Sequence, residues 1–157
     1  MNKKVFLFDW GNTLMKDFPD EKGPMYSWNK VMIMPDTDKM LNELYKTADC
    51  YIATNARDSN KEDIIKALRR VHIDHFIKDI FCYKEIGFPK PSKEYFSEVF
   101  KRLNTDIENV TMVGDSLEND ISGAVKFGFN AVLFDPENKY SGYHGLKISK
   151  LTDLLIC

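Results

Sequence analysis

The chain has few of the features that cross-link a small protein or anchor it to a membrane. Its 157 residues include three cysteines, Cys50, Cys82 and Cys157. That number is odd and no pair has the short spacing of a metal-binding motif, so neither a disulfide framework nor a zinc site is expected. The thiols are read as reduced, in a cytoplasmic setting. No apolar run approaches the ~20 residues a membrane helix requires. The opening Val5-Phe6-Leu7-Phe8 stops at Asp9, too early for the apolar region of a signal peptide. Charge of one sign is also missing. The 22 Lys+Arg against 24 Asp+Glu give a net of -2, which argues against a dedicated nucleic-acid binder. Repeats and low-complexity tracts are absent. What remains, 43% hydrophobic and 29% charged residues, excludes disorder and suits a single domain over 1–157. A chain of this size buries roughly 68–70% of its unfolded surface.

Apolar runs and helical periods alternate along the chain. Val5–Phe8 reads as a strand covered on both faces. Asp36 or Thr37 can cap a helix carrying Met40, Leu41, Leu44 and Ala48. Cys50–Ala53 is a second strand. Ser59 and Glu62 form a capping-box pattern before Ile64, Ile65, Leu68 and Val71. A third strand is predicted at Ile80–Tyr83. Ser92 caps a helix with Phe96, Val99, Phe100 and Leu103. Val110–Val113, a helix over Asn119–Phe127 stopped by Gly128, and a strand at Ala131–Phe134 follow. Leu151, Leu154 and Leu155 close the pattern. This alternation predicts an α/β architecture: a parallel sheet of about five strands with helices on both faces. One stretch without periodicity, about 15–34, is read as a loop or flap, and a loop that long in a compact domain is usually functional or disordered.

In such folds ligands bind beyond the carboxyl ends of the strands. Taken singly, the residues there are ordinary. Asp9 can start a turn, Thr54-Asn55 can cap one, Lys90 between two prolines can be solvated, and Gly114-Asp115 can lead into a helix. Together they place carboxylates, a hydroxyl, an amide and an ammonium on one rim. Carboxylates held close repel unless cations intervene. Mg2+ and the Lys90 ammonium are the natural compensators, and such a site is built to take a phosphate.

The carrying residues are Asp9-x-Gly11-x-Thr13-Leu14 after the first strand, Thr54-Asn55 after the second, Lys90-Pro91 followed by Phe96, and Val113-Gly114-Asp115-Ser116 with Asp120, Gly123 and Ala124 beyond. In that order and strand context, from Val5 to Phe134, the sequence resembles the haloacid dehalogenase (HAD) superfamily of hydrolases. The resemblance implies a Rossmann-like three-layer sandwich. It also implies a Mg2+-dependent phosphatase acting through an aspartyl phosphate. Asp9 matches the nucleophile and a metal ligand, and Gly11 the position whose carbonyl binds the metal. Thr54 matches the phosphate-binding hydroxyl with Asn55 beside it. Lys90 matches the lysine that steadies nucleophile and phosphate. Asp115 matches the direct metal ligand and Asp120 an acid supporting the metal or orienting Lys90.

One departure matters. Most phosphatases of the superfamily carry a second Asp two residues after the nucleophile, where this chain has Gly11. Loss of a positioned acid/base costs about 10²–10⁴-fold, or about 3–5 kcal/mol of barrier. Alkyl phosphates, whose leaving group needs a proton, should suffer more than aryl or acyl phosphates. An acid from the flap, Asp17, Asp20 or Glu21, could swing in, or the substrate could supply the proton. A phosphate-binding or regulatory protein of little turnover is the alternative. A signal-receiver domain is disfavoured because its phosphorylated Asp lies on a middle strand, and a dehalogenase because halide displacement does not call for Asp115.

The spacing from Asp9 to Thr54 and from Thr54 to Lys90 leaves no room for a large cap domain. An open site suits a phosphorylated small molecule or an exposed macromolecular phosphate, or a second subunit closes it. Neither a nucleic acid nor a membrane is expected as partner. Trp10, Tyr26 and Trp28 flank the opening, with core packing expected for at least two of them. His72, His75 and His144 match no motif and are read as structural or exposed, and Cys50 and Cys82 as buried thiols.

Overall fold

A computed structural model describes residues 3–157; Met1 and Asn2 lie outside the described residues. Six parallel strands form one sheet: β1 (Lys4–Phe8), β2 (Ala48–Thr54), β3 (Ile77–Cys82), β4 (Val110–Gly114), β5 (Asn130–Phe134) and β6 (Lys147–Ile148), in the order β3-β2-β1-β4-β5-β6. The chain runs outward from β1 in both directions, so strand order reverses beside β1. That is where a doubly wound sheet opens a crevice at its carboxyl rim.

Alternation along each strand sorts two cores. Phe6 and Phe8 face Cys50, Ile52 and Val113 on one side. There α1 (Thr37–Leu44), α2 (Lys61–Arg70) and the tail turn Leu151–Ile156 cover them. Val5 and Leu7 join Tyr51, Ala53 and Met112 on the other side. These lie beneath α3 (Tyr83–Ile86), α4 (Lys93–Arg102) and α5 (Gly123–Phe127). Both faces of β1 are buried, which is why its sequence is continuously apolar. Phe96, Phe100, Phe127 and Phe129 interlock on the α4–α5 side with centroids 5.0–6.3 Å apart.

Several expectations shift. The sheet has six strands rather than five, because β6 is two residues long and too short to show a period. The capping box sits one residue late: Asn60 accepts from the Asp63 N–H and Asp63 accepts from the Asn60 N–H. Ser59 is instead buried. Asp36 stands at the start of α1 in a left-handed conformation (φ 67°) and makes no side-chain cap; Thr37 donates to the Leu14 carbonyl. Ala48 opens β2 rather than closing α1. β3 begins three residues earlier than predicted, and Tyr83 belongs to α3. The helix after β4 begins at Leu117 and is π-wound to Ser122 before α5. Gly128 stops it at φ 119° and Ser92 caps α4, both as read. Leu151 and Leu154 are buried, Leu155 exposed. All three histidines are exposed and Cys50 and Cys82 are buried.

The flap is ordered. Met15, fully buried, bridges Ile33 in antiparallel fashion, Lys16 N–H donates to the Met32 carbonyl, and Met25–Ser27 forms a 3-10 turn. Arg70 of α2 donates to the carbonyls of Tyr26 (2.9 Å) and Trp28 (2.5 Å), and Lys66 lies over the Tyr26 ring.

α5 approaches the Lys90–Pro91 segment through Gly123. A Cβ there would lie 2.6 Å from Pro91 Cβ and 2.8 Å from Phe96 Cε2. Alanine in a helix is otherwise favoured over glycine by ~1 kcal/mol, but overpacking costs about 1–3 kcal/mol. Gly123→Ala is therefore expected to lower the melting temperature by several degrees, on the order of 2–4 °C per kcal/mol. Gly142→Ala, with open space around it, should stay within about 0.5 kcal/mol of the parent in the same thermal scan.

Candidate active site

Because Phe8 pairs with Ile52 on one side and Val113 on the other, the residues just past these strand ends share one rim. Asp9 is fixed there by its N–H donating to the Val113 carbonyl at 2.9 Å. The chain then coils tightly, with the N–H groups of Thr13, Leu14 and Met15 all directed at the Trp10 carbonyl. That coil returns Thr13 to the rim. Its hydroxyl lies 3.4 Å from Asp9 Oδ2 and 3.1 Å from Asp115 Oδ1. Thr13 belongs to the quoted motif, yet residue types alone assigned it no role.

Lys90 is buried at 3% exposure. Its ammonium donates to Asp9 Oδ1 (2.9 Å), Asp120 Oδ1 (2.6 Å) and the Ala53 carbonyl (2.7 Å), which engages all three of its hydrogens. Asp120 accepts from the Ser116 N–H through its other oxygen and packs directly over Gly114, where a Cβ would collide with its carboxylate. Asn55 grips the Lys90 main chain from both sides: Oδ1 accepts from Lys90 N–H at 2.7 Å and Nδ2 donates to its carbonyl at 2.9 Å. The Asn55 amide thus holds Lys90 before it can serve any ligand. Thr54, also buried, accepts from the Ala56 N–H at 3.0 Å, which leaves its own hydrogen for donation.

The electrostatics follow from this crowding. Burial opposes ionisation of Asp9, but the Lys90 charge and hydrogen bonds with its neighbours hold its carboxyl below the usual range. Burial, reinforced by Asp9, pushes Asp115 up to about 7. Burial also outweighs the pull of Lys90 and takes Asp120 to about 6. Lys90 is buried but held protonated by Asp120 and Asp9, well above the ordinary lysine value. Asp9, Asp115 and Asp120 each bring an oxygen within 4.8 Å of the others. Three carboxylates against one ammonium make an oxygen-rich, negatively charged donor set that fits a hard divalent cation.

A cavity of about 280 Å³ opens above Asp9, between the flap and the loop after β2. Trp10, Gly11, Asp17, Met25 and Trp28 line one side, and Thr54, Asn55, Arg57, Asp58 and Ser59 the other. Trp10 is buried, and Tyr26 and Trp28 pack against the same core, so packing is their main role although both tryptophans reach the cavity. Asp20 and Glu21 are absent from its described lining. The Arg70 latch on the flap was invisible in the sequence, because it joins positions more than 40 residues apart through main-chain oxygens.

The chain is 36% identical over 101 residues to the protein named HAD-hydrolase YfnB of Bacillus subtilis, covering 64% of this chain and 42% of that one. It is 31% identical over 111 residues to a ribulose-1,5-bisphosphate 5-phosphatase of Halopiger xanaduensis, covering 70% and 45%. The matched stretches thus span less than half the length of these two relatives. Among solved structures, YfnB superposes with a TM-score of 0.80 at 21% identity, over 99% of this chain and 98% of that one. An uncharacterised Listeria monocytogenes protein gives 0.83 at 22%, over 98% and 97%. The family model described as haloacid dehalogenase-like hydrolase matches residues 11–134, most of the chain, and the chain belongs to that family.

Proposed function

We infer that the chain is a Mg2+-dependent phosphohydrolase that works through an aspartyl phosphate on Asp9. The observation that supports it best is the Lys90 ammonium, buried between Asp9 and Asp120 with Asp115 beside them. Relatives named ribulose-1,5-bisphosphate 5-phosphatase and glyceraldehyde 3-phosphate phosphatase favour a phosphorylated small molecule as substrate.

In this reading Asp9 and Asp115, with the Gly11 carbonyl, would hold the cation, while Asp120 serves chiefly as counter-ion to Lys90. When bound, Mg2+ would neutralise the carboxylates and the phosphate oxygens. Asp9, kept ionised by Lys90, presents a carboxylate oxygen to phosphorus. Lys90 and the Thr54 hydroxyl steady the transferring phosphoryl group. Asn55 fixes the lysine from behind. Thr13 keeps the Asp9 and Asp115 carboxylates aligned.

A second reading, a phosphate-binding or regulatory protein of little turnover, draws on the missing carboxyl at Gly11. Asp9→Asn separates the two. Under the hydrolase reading it removes at least about 10³-fold of the turnover of p-nitrophenyl phosphate with Mg2+, with the fold intact by circular dichroism. Under the binding reading the parent turns over almost nothing and Gly11→Asp brings a large gain.

The raised carboxyls also set a pH dependence. A group whose folded pKa lies above its unfolded value favours folding at low pH and loses that contribution as pH rises, here from about 4 to about 7 for Asp115. A cation binds the unprotonated acids and offsets the loss. The thermal stabilisation by millimolar Mg2+ is therefore expected to be small at pH 5.5 and to grow through pH 8. Mg2+ affinity should rise by at most about tenfold per pH unit below the Asp115 titration. A gain that stays flat or shrinks with pH would contradict this assignment.

A further inference from the structure

Position 11 leaves a gap in the chemistry, and the flap stands beside it. A Cβ on Gly11 would meet one described atom within 4 Å, Cβ of Asp17 at 3.8 Å. The carboxyl carbon is one bond beyond Cβ in an aspartate, so a carboxyl carried at 17 and one carried at 11 reach overlapping space. Asp17 is well placed for this. Its N–H donates to Asn12 Oδ1 at 3.1 Å, and the Asn12 N–H donates to the Met15 carbonyl at 2.6 Å. Met15 is buried and bridges both Gly11 and Ile33. The flap stem that presents Asp17 is therefore anchored in the core, while the side chain is exposed and lines the same cavity as Asp9 and Thr54. Among the described lining residues it is the one acid from the flap.

We propose that Asp17 is the general acid and base of this site, supplied from the flap in place of the carboxyl that Gly11 lacks. The proposal rests on the phosphohydrolase reading. In the first half-reaction an Asp9 oxygen bonds to phosphorus, the bond from phosphorus to the leaving oxygen breaks, and the proton of the Asp17 carboxyl passes to that oxygen to give the alcohol. In the second, Asp17 as carboxylate takes a proton from water while the water oxygen bonds to phosphorus. The Asp9–phosphorus bond then breaks and inorganic phosphate leaves. One ester and one water give one alcohol and one phosphate, with Asp9 and Asp17 restored.

The test uses the whole chain with Mg2+, glycerol 2-phosphate as alkyl substrate and p-nitrophenyl phosphate as aryl substrate. Asp17→Asn and Asp17→Ala are expected to lower alkyl turnover by about 10²–10⁴-fold. On the aryl substrate they should still release about one equivalent of nitrophenol per enzyme in a burst, because that leaving group departs without a proton and only the second half-reaction stalls. Adding Gly11→Asp to Asp17→Asn, for which there is room, should restore alkyl turnover at least tenfold. Asp20→Asn and Glu21→Gln should match the parent. Alkyl turnover within about threefold of the parent in both Asp17 variants overturns the proposal. So does an equal loss of both substrates in the first turnover, or transfer of the loss to Asp58→Asn on the facing wall. Full activity in Asp9→Asn, or a parent inert to both substrates, would instead overturn the phosphohydrolase reading and this inference with it.

Discussion

Everything at the rim depends on one buried cation. An ammonium taken out of water is costly, and it is tolerated only where its charge is matched and its hydrogens are accepted. Lys90 meets both conditions with two carboxylates and one carbonyl. Those partners come from the ends of β1 and β2 and the helix after β4, so the lysine fastens three parts of the sheet rim. Removing it would leave Asp9 and Asp120 facing each other across a poorly solvated gap, a far larger penalty than losing an exposed ion pair such as Lys46–Glu43.

The supports around it explain the neighbouring residue choices. Gly114 is bare so that Asp120 can lie over it, and Gly123 is bare so that α5 can press on Pro91. Asn55 closes both hydrogen bonds of the Lys90 main chain. None of these residues needs to touch a substrate for its loss to be felt at Asp9. The same crowding sets the proton affinities. Asp9 is drawn toward the charged form and Asp115 away from it, so neighbouring acids of one type acquire different tasks.

Much of this was legible in the sequence. Continuous apolar strands and Gly-stopped helices carry strong local signals, and Asp9, Thr54 and Asp115 stand at or just past strand ends, while Lys90 lies in the proline-flanked loop before α4. What escaped lacks a local signature. β6 is too short to have a period. Asn60 and Asp63 form the box of α2 one residue past the Ser59 and Glu62 pattern, and Ser59 is buried. The double grip of Asn55 on Lys90 spans 35 positions. The flap looked structureless because its order comes from scattered backbone bonds and one distant arginine rather than from a repeating pattern.

That arginine has an evolutionary implication. Arg70 grasps peptide oxygens of the flap, which every residue type carries, and no flap side chain takes part in that grip. Exposed flap residues outside the packed core, such as Asp20 and Lys22, can therefore be exchanged without loosening that grip. Over generations such positions are free to vary in what they meet, while Met25 and Trp28 stay tied to the core and Asp17 to the chemistry proposed for it.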